Sequence, residues 1–349
     1  MQCVATIDAV RARTRRHGAI IDADGRREES GGVLNPASAR ARDGDLLLYP
    51  RVVEAGNVSR VGIIRVREDG WRRSYQRHGF ALEPEREYEL RDGNDGYGCE
   101  DPRVTFVSAL DAFVMAYTAF GERGARIAIA LSNDGLRWER IGLMRFDHAG
   151  LEDDDDKDAA FFPDPVVSPS GVPSLAFYHR PMPRVGAQSI RIGYVPLRSV
   201  LRDVRRLLDV RESRVVVEPY GAWGTLKVGA GTPPVLTDRG WLSIYHGVDP
   251  ISGSPGATRR RYAAGILIHD AERPHIVRYR SPAPLFVPET EAELRGVVND
   301  VVFPTGIDAR PGAPLNEFDV YYGMADERIG LISLRLDTRR VTRRKAAAA

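Results

Sequence analysis

Residues 112–120, AFVMAYTAF, and 125–132, ARIAIALS, are short apolar runs, and SNDGLRW (132–138) follows as a polar turn ending in a tryptophan. Runs of this length, rich in Val, Ile, Tyr and Phe and bounded by turn residues, read as strands rather than helices. The pattern recurs outward from this stretch: DLLLYPRVV (45–53), VGIIRV (61–66), SLAFYHR (174–180), WLSIYHGV (241–248), YAAGILIHD (262–270) and DVYYGMAD (319–326). The turn signals EDG, NDG, SPSG, TDRG and DARPG separate such runs. The sequence therefore predicts an all-β protein.

The chain has 349 residues, 50 Lys+Arg against 48 Asp+Glu, and a net charge of +2. That balance gives no electrostatic reason to expect nucleic acid. The 34 glycines and 23 prolines, together 16% of the chain, exceed the usual share of about 12% and imply many turns. No stretch approaches the roughly 20 apolar residues that span a bilayer. The N-terminus MQCVATIDAVRARTRRHG is broken by arginines and does not read as a signal peptide. Two cysteines, Cys3 and Cys99, make no disulfide framework, so a cytoplasmic protein is expected.

Strands joined by tight turns over some 300 residues suit a propeller, which closes its sheet edges by radial repetition. At roughly 40–70 residues per blade the length allows five to seven blades. The turn Ser132 to Trp138 is similar to the S-x-D-G-x-x-W hairpin turns of glycosidase propellers. Two segments read as helical: the Ala- and Arg-rich residues 2–16, and 197–212, where Val200, Leu201, Val204, Leu207 and Leu208 share a face. The basic C-terminus, about 338–349, reads as a flexible tail. No linker interrupts the composition and no strict repeat stands out, so residues 1–349 read as one domain.

Polar groups beside strand ends are the candidates for chemistry. In Gly98-Cys99-Glu100-Asp101-Pro102-Arg103, the proline favours extended geometry at Asp101. Strand alternation then puts Glu100 and Asp101 on opposite faces, one toward a site and the other toward Arg103. The same residues also fit a turn with a surface ion pair. The acidic run Glu152 to Asp158 reads as a solvated loop; it lacks the calcium-loop glycine and final glutamate, so no metal is assigned. The segments Phe177 to Pro181, Trp223 to Pro234 and Trp241 to Val248 carry Arg180, Lys227 and His246. The glycines around Lys227 do not match the phosphate-loop pattern.

Taken in order, these pieces resemble glycoside hydrolase family 130, the β-mannoside phosphorylases and related hydrolases on a five-bladed β-propeller. The matching stretches are GVLNPA (32–37), EDPRV (100–104), KDAAFFP (157–163), HRP (179–181), KVGAGTPP (227–234), GWLSIYHGV (240–248), VVFPTG (301–306) and YGMAD (322–326). The resemblance implies an all-β, five-bladed propeller with short peripheral helices. It implies Asp101 as the catalytic acid, acting through a mannose hydroxyl. It implies Lys157, Arg180, Lys227 and His246 as the phosphate cradle, with Asp326 among the sugar contacts.

Glu100, Arg103, Tyr245 and Tyr322 are further expected substrate contacts, and Tyr97 and Tyr178 also lie near the motifs. Phosphate is already an anionic nucleophile, so it needs cations rather than a base, whereas water needs a carboxylate to activate it. Three of the cradle groups carry fixed charge, and His246 stands as a fourth by its titration range. The expected reaction is inverting phosphorolysis of a β-mannoside to α-mannose 1-phosphate, with phosphate as co-substrate and no cofactor. The alternatives are a hydrolase of the same family, with Asp164 and Glu152 as residues to watch, and a non-catalytic carbohydrate-binding propeller. Expected partners are a β-mannoside oligosaccharide and phosphate, with no nucleic acid and no membrane. A homo-oligomer packed through residues 2–16 stays open.

Lys157 stands where many phosphorylases have Arg, Phe-Phe-Pro-Asp replaces Leu-Phe-Pro-Glu at 161–164, and VSPSGVP (167–173) reads as a hairpin insertion. These departures bear on the subgroup and the linkage.

Overall fold

A computed structural model describes residues 10–69, 72–93, 96–146, 154–251 and 259–337. The chain is a five-bladed β-propeller, each blade an antiparallel sheet whose strands run in order from the axis outward. Blade 1 holds Gly32–Arg40, Leu46–Glu54, Val58–Asp69 and Arg72–Leu82. Blade 2 holds Tyr97–Val107, Ala112–Gly121, Gly124–Ser132 and Glu139–Leu143. Blade 3 holds Asp155–Phe161, Pro173–Met182, Ile190–Pro196 and Glu212–Val217. Blade 4 holds Lys227–Gly229, Gly240–Pro250, Arg260–His269 and Val277–Arg280. Blade 5 holds Val302–Asp308, Glu317–Met324 and Arg328–Leu336, and its outermost strand is Ala12–Ile21 from the other end of the chain.

Five apolar clusters hold the ring, one per seam between blades. Tyr49 and Phe113 belong to the cluster between blades 1 and 2, and Val114 and Phe177 to that between 2 and 3. Phe162 meets Trp241 edge-on between 3 and 4, and Ile244 and Val320 belong to the cluster between 4 and 5. The fifth cluster, with Leu48 and Tyr321, joins blade 5 back to blade 1 and closes the circle. Burial of apolar area at every seam is the main force keeping it closed.

Two helical expectations need correction. Residues 12–16 of the expected helix 2–16 lie in a strand, and residues 1–9 fall outside the described ones. Alternation explains the strand: Arg13, Arg15 and His17 are exposed, while Ala12, Thr14 and Arg16 turn inward against Arg328–Leu336. That pairing supplies hydrogen bonds that local helix propensity does not outweigh. The second expected helix, 197–212, shrinks to Leu197–Arg202 and a 3₁₀ turn Val204–Leu208. Asp203 is extended between them and accepts from the N–H of Arg205, ending one element and capping the next. Leu201 consequently faces solvent, while Val200, Leu207 and Leu208 are buried. The expected tail, 338–349, lies outside the described residues.

A seven-residue repeat also emerges. Pro84-Glu85-Arg86-Glu87-Tyr88-Glu89-Leu90 precedes blade 2, and Pro288-Glu289-Thr290-Glu291-Ala292-Glu293-Leu294 precedes blade 5. The last glutamate of each is fully buried and accepts from the backbone N–H groups three and four residues before it. Glu89 also receives the Tyr117 hydroxyl (2.6 Å) and Arg140 Nε (2.8 Å). Glu293 receives the Tyr322 hydroxyl (2.7 Å) and Arg16 Nε (3.1 Å). Each lock draws its tyrosine from the second strand and its arginine from the outermost strand of its blade.

Candidate active site

The site is built on the innermost strands, and a shared backbone irregularity shapes it. Asn35, Asp101 and Asp158 all have left-handed backbone, with φ of 46°, 43° and 60°. Each sits at a register shift, in blades 1, 2 and 3 respectively. Short polar side chains tolerate that conformation better than others, which is why Asn and Asp occupy the three positions. A bulge re-aims the side chains around it.

The bulge overturns two expectations. Asp101 is left-handed rather than extended, despite Pro102. Glu100 and Asp101 do not part to opposite partners: Arg51 Nη2 donates to Glu100 Oε1 at 2.9 Å and Arg51 Nη1 to Asp101 Oδ1 at 3.5 Å. Arg103 pairs with neither carboxylate; it is buried and donates to Asp158 Oδ1 (3.3 Å) and to the carbonyls of Asp101 (2.7 Å), Ala230 (3.3 Å) and Gly231 (3.2 Å). It is a brace between blades 2, 3 and 4. Asn35 Nδ2 donates to Asp101 Oδ1 at 2.9 Å, and Lys157 Nζ donates to Glu100 Oε2 at 3.2 Å.

The acidic run is likewise not a solvated loop in its described part, since Asp155–Phe161 is the innermost strand of blade 3. Its Asp158 is the hub of the cationic side. Arg180 Nε donates to Asp158 Oδ2 at 2.6 Å, and Arg180 Nη1 to Gln188 Oε1 at 2.7 Å. His246 Nε2 lies 3.7 Å from Asp158 Oδ2, and its ring meets Phe303 at 4.5 Å. Gly229 leaves room for this packing: a Cβ there would come within 2.3 Å of Asp158 and 2.4 Å of His246. Lys227 Nζ sits 5.1 Å from the centre of the Tyr262 ring.

Charge and burial set the protonation of these groups. Burial pushes the Asp101 carboxyl up, but Arg51, Arg103, Lys157 and the Asn35 bond hold it below the usual range. Asp326, left-handed in the turn after Glu317–Met324, is pushed up to about 6 by burial and by the Asp101 charge. Two carboxylates acting on each other hold their protons as a pair. Asp158 lies far below the usual range, because Arg180, His246 and Arg103 outweigh its burial. Lys227 is lowered to about 8 by burial and by Arg180. Burial, with Arg180 and Lys227, lowers His246 to about 3. His246 is therefore neutral near pH 7 and adds no fourth charge to the cradle. Its buried Nδ1 has no hydrogen-bond partner among the described residues.

Glu100, Asp101, Arg103, Lys157, Arg180, Lys227, His246 and Asp326 thus form one connected centre. Tyr245 and Tyr322 do not join it. Tyr245 is fully buried in the seam between blades 3 and 4, where its hydroxyl receives Arg280 Nε at 3.1 Å and its ring packs on Trp223. Tyr322 is fully buried and locked to Glu293. Strand alternation explains Tyr245, since its neighbour His246 takes the opposite face. Tyr178 is also buried in a seam, and Tyr97 starts the inner strand of blade 2. Asp164 points elsewhere, receiving the Ser108 hydroxyl at 2.6 Å, and Glu152 lies outside the described residues. Asn35, Arg51, Asp158 and Tyr262 were not assigned from sequence; the left-handed Asn and Asp, each before a proline or an alanine in matching motifs, were the available signal.

Among the described residues, no group of His, Cys, Asp and Glu side chains could hold a metal ion, and no helix is long and apolar enough to cross a membrane. A propeller that gathers carboxylates, lysines and arginines on its innermost strands offers a charged site able both to donate a proton and to hold a small anion. The chain belongs to glycoside hydrolase family 130: the family model, described as beta-1,4-mannooligosaccharide phosphorylase, matches residues 5–338. A 1,2-beta-oligomannan phosphorylase of Thermoanaerobacter sp. (strain X514) is 30% identical over 260 residues, covering 73% of this chain and 72% of that protein. A beta-1,2-mannobiose phosphorylase of the same organism is 29% identical over 68% of this chain and 67% of its own length. The solved beta-1,2-mannobiose phosphorylase of Listeria innocua, in complex with beta-1,2-mannobiose, superposes with a TM-score of 0.71 at 22% identity, covering 92% of this chain and 96% of that one.

Proposed function

We propose that this protein is an inverting phosphorylase of β-1,2-linked mannosides, releasing α-mannose 1-phosphate and a sugar shortened by one mannose. The carrying observation is Lys227. Its side chain is half-buried, faces the Tyr262 ring, and has no carboxylate ion pair among the described residues. Such a group gains most from a small anion beside it. Arg180 and Lys157 flank the same space, each with part of its charge answered by Asp158 or Glu100. Phosphate enters there as nucleophile, on the sugar face opposite the acid.

Asp101 supplies the proton through a sugar hydroxyl. In the free enzyme Asp101 is held below the usual carboxylate range, and Asp326, raised to about 6, is the first of the two to take up a proton as pH falls. A phosphate dianion arriving near Lys227 raises the proton affinity of Asp101, so nucleophile binding and acid loading support each other. The β-1,2 linkage is favoured because relatives acting on it align with about two thirds or more of the chain. The position of Asp164 speaks against the hydrolase reading, since its carboxylate is taken up by Ser108. We further propose a cytoplasmic enzyme needing no cofactor beyond phosphate, in keeping with the free, buried Cys99.

The test is sugar release from β-1,2-mannobiose and β-1,4-mannobiose with and without phosphate. Phosphate-dependent release of α-mannose 1-phosphate from the β-1,2 disaccharide is expected. Equal turnover without phosphate would overturn the reading.

A further inference from the structure

Blade 3 contains a hydrogen-bonded chain of polar side chains with one member on each of its four strands. Arg191 on the third strand donates from Nε to Ser213 Oγ on the outermost strand at 2.9 Å, and Ser213 Oγ lies 2.8 Å from Nε2 of His179 on the second strand. His179 Nδ1 lies 2.7 Å from Asp156 Oδ2. A proton on Nδ1 satisfies every link: it donates to Asp156, while Nε2 accepts from the serine hydroxyl. Asp156, His179 and Ser213 are all buried, and the Phe146 ring stacks on His179 at 4.8 Å.

The order Ser–His–Asp is that of a hydrolytic triad, but its setting is not. Ser213 Oγ already accepts from Arg191, and the 340 Å³ cavity alongside is lined by Asp156 and Phe146 rather than by Ser213. A nucleophile needs an open approach to a substrate carbonyl.

The inner end of the chain is more informative. Asp156 Oδ1 accepts the backbone N–H of Arg180 at 3.1 Å. On its own strand Asp156 precedes Lys157 and Asp158. One buried carboxylate therefore holds two strands at the point where Lys157, Asp158 and Arg180 leave them.

We infer that the Arg191–Ser213–His179–Asp156 chain is a positioning device for the anion-binding edge of the site, setting how far Lys157 and Arg180 reach toward phosphate. This rests on the phosphorylase reading above. None of the four touches the acid side, so phosphate and mannoside should respond differently to its loss.

The test uses the full chain with Ser213→Ala, Ser213→Thr and His179→Gln, read by steady-state kinetics in both substrates and by calorimetric binding of inorganic phosphate. Ser213→Ala is expected to raise the KM and Kd for phosphate about three- to tenfold, the effect of one lost hydrogen bond, with kcat and mannoside KM within about twofold. His179→Gln should act in the same direction and further. Ser213→Thr, which keeps the hydroxyl, should restore phosphate affinity. If Ser213→Ala leaves phosphate affinity unchanged, or weakens both substrates in parallel with no rescue by threonine, the chain is only a blade fastener. If the wild-type protein binds no phosphate, the phosphorylase reading falls first and this inference with it.

Discussion

Blades 2 and 5 are tied across their width by one device and blade 3 by another. In blades 2 and 5 a buried glutamate from the seven-residue repeat gathers a tyrosine hydroxyl, an arginine and two backbone N–H groups. In blade 3 a serine and a histidine carry the tie, and its inner end is Asp156 beside Lys157. The first device fastens the blades that bear Asp101 and Asp326 without bonding to either carboxylate. The second ends on the backbone of a site residue, Arg180. The acidic half of the centre thus hangs on general blade stiffness, while the cationic half is joined to its blade's own tie. Breaking the first should cost stability, and breaking the second should cost anion affinity.

Loss of the acid should have the largest effect and sets the scale for the acidic half. Asp101→Asn is expected to lower turnover about 10²- to 10⁴-fold in protein that remains folded, since general-acid help is of that size. Full activity in that variant would remove Asp101 from the mechanism. Next come the locks. Glu89→Ala and Glu293→Ala each strip the buried carboxylate from its arginine and should destabilise the fold by about 3–5 kcal/mol in denaturant titrations. Equal effects in the two variants would establish the repeat as one energetic unit; a mere loss of phosphate affinity would break the comparison.

On the cationic side, Lys227→Ala should raise the KM for phosphate about tenfold or more, as expected for a charged hydrogen bond. The ammonium form is the one that binds, so phosphate affinity should also fall as pH rises through about 8. Lys227→Arg should hold its affinity across that window, and a wild-type profile flat to pH 9.5 would discount Lys227. The smallest effect is expected from Tyr322→Phe. It removes one hydroxyl from the Glu293 lock and should cost about 1 kcal/mol of stability while leaving the mannoside KM unchanged. A raised KM at full stability would return Tyr322 to the sugar site.

Much of this could be read in the sequence where the signal is contiguous. Alternating apolar runs and their turns announce strands, and the motifs carrying Asp101, Lys157, Arg180, Lys227, His246 and Asp326 point to one centre. Legibility failed where a local rule met a nonlocal one. Alternation separates Glu100 from Asp101, yet the left-handed bulge lets Arg51 reach both. Residues 12–16 look helical alone, but a free edge at the far end of the chain takes them as a strand. The repeat PEREYEL and PETEAEL was in plain view, but only its buried glutamates give it meaning.

The sequence by itself determined the strands, the family and the residue types of the centre, because these depend on short stretches and their order. The tertiary structure alone decided what those residues do to one another. Asn35 reaches Asp101 across 66 residues, and Arg103 reaches Asp158 across 55. Burial at the ring's axis then keeps His246 neutral near pH 7, raises Asp326 to about 6 and lowers Lys227 to about 8. Protonation follows from the field and solvent each group meets once the ring closes, and no local stretch of chain carries that information.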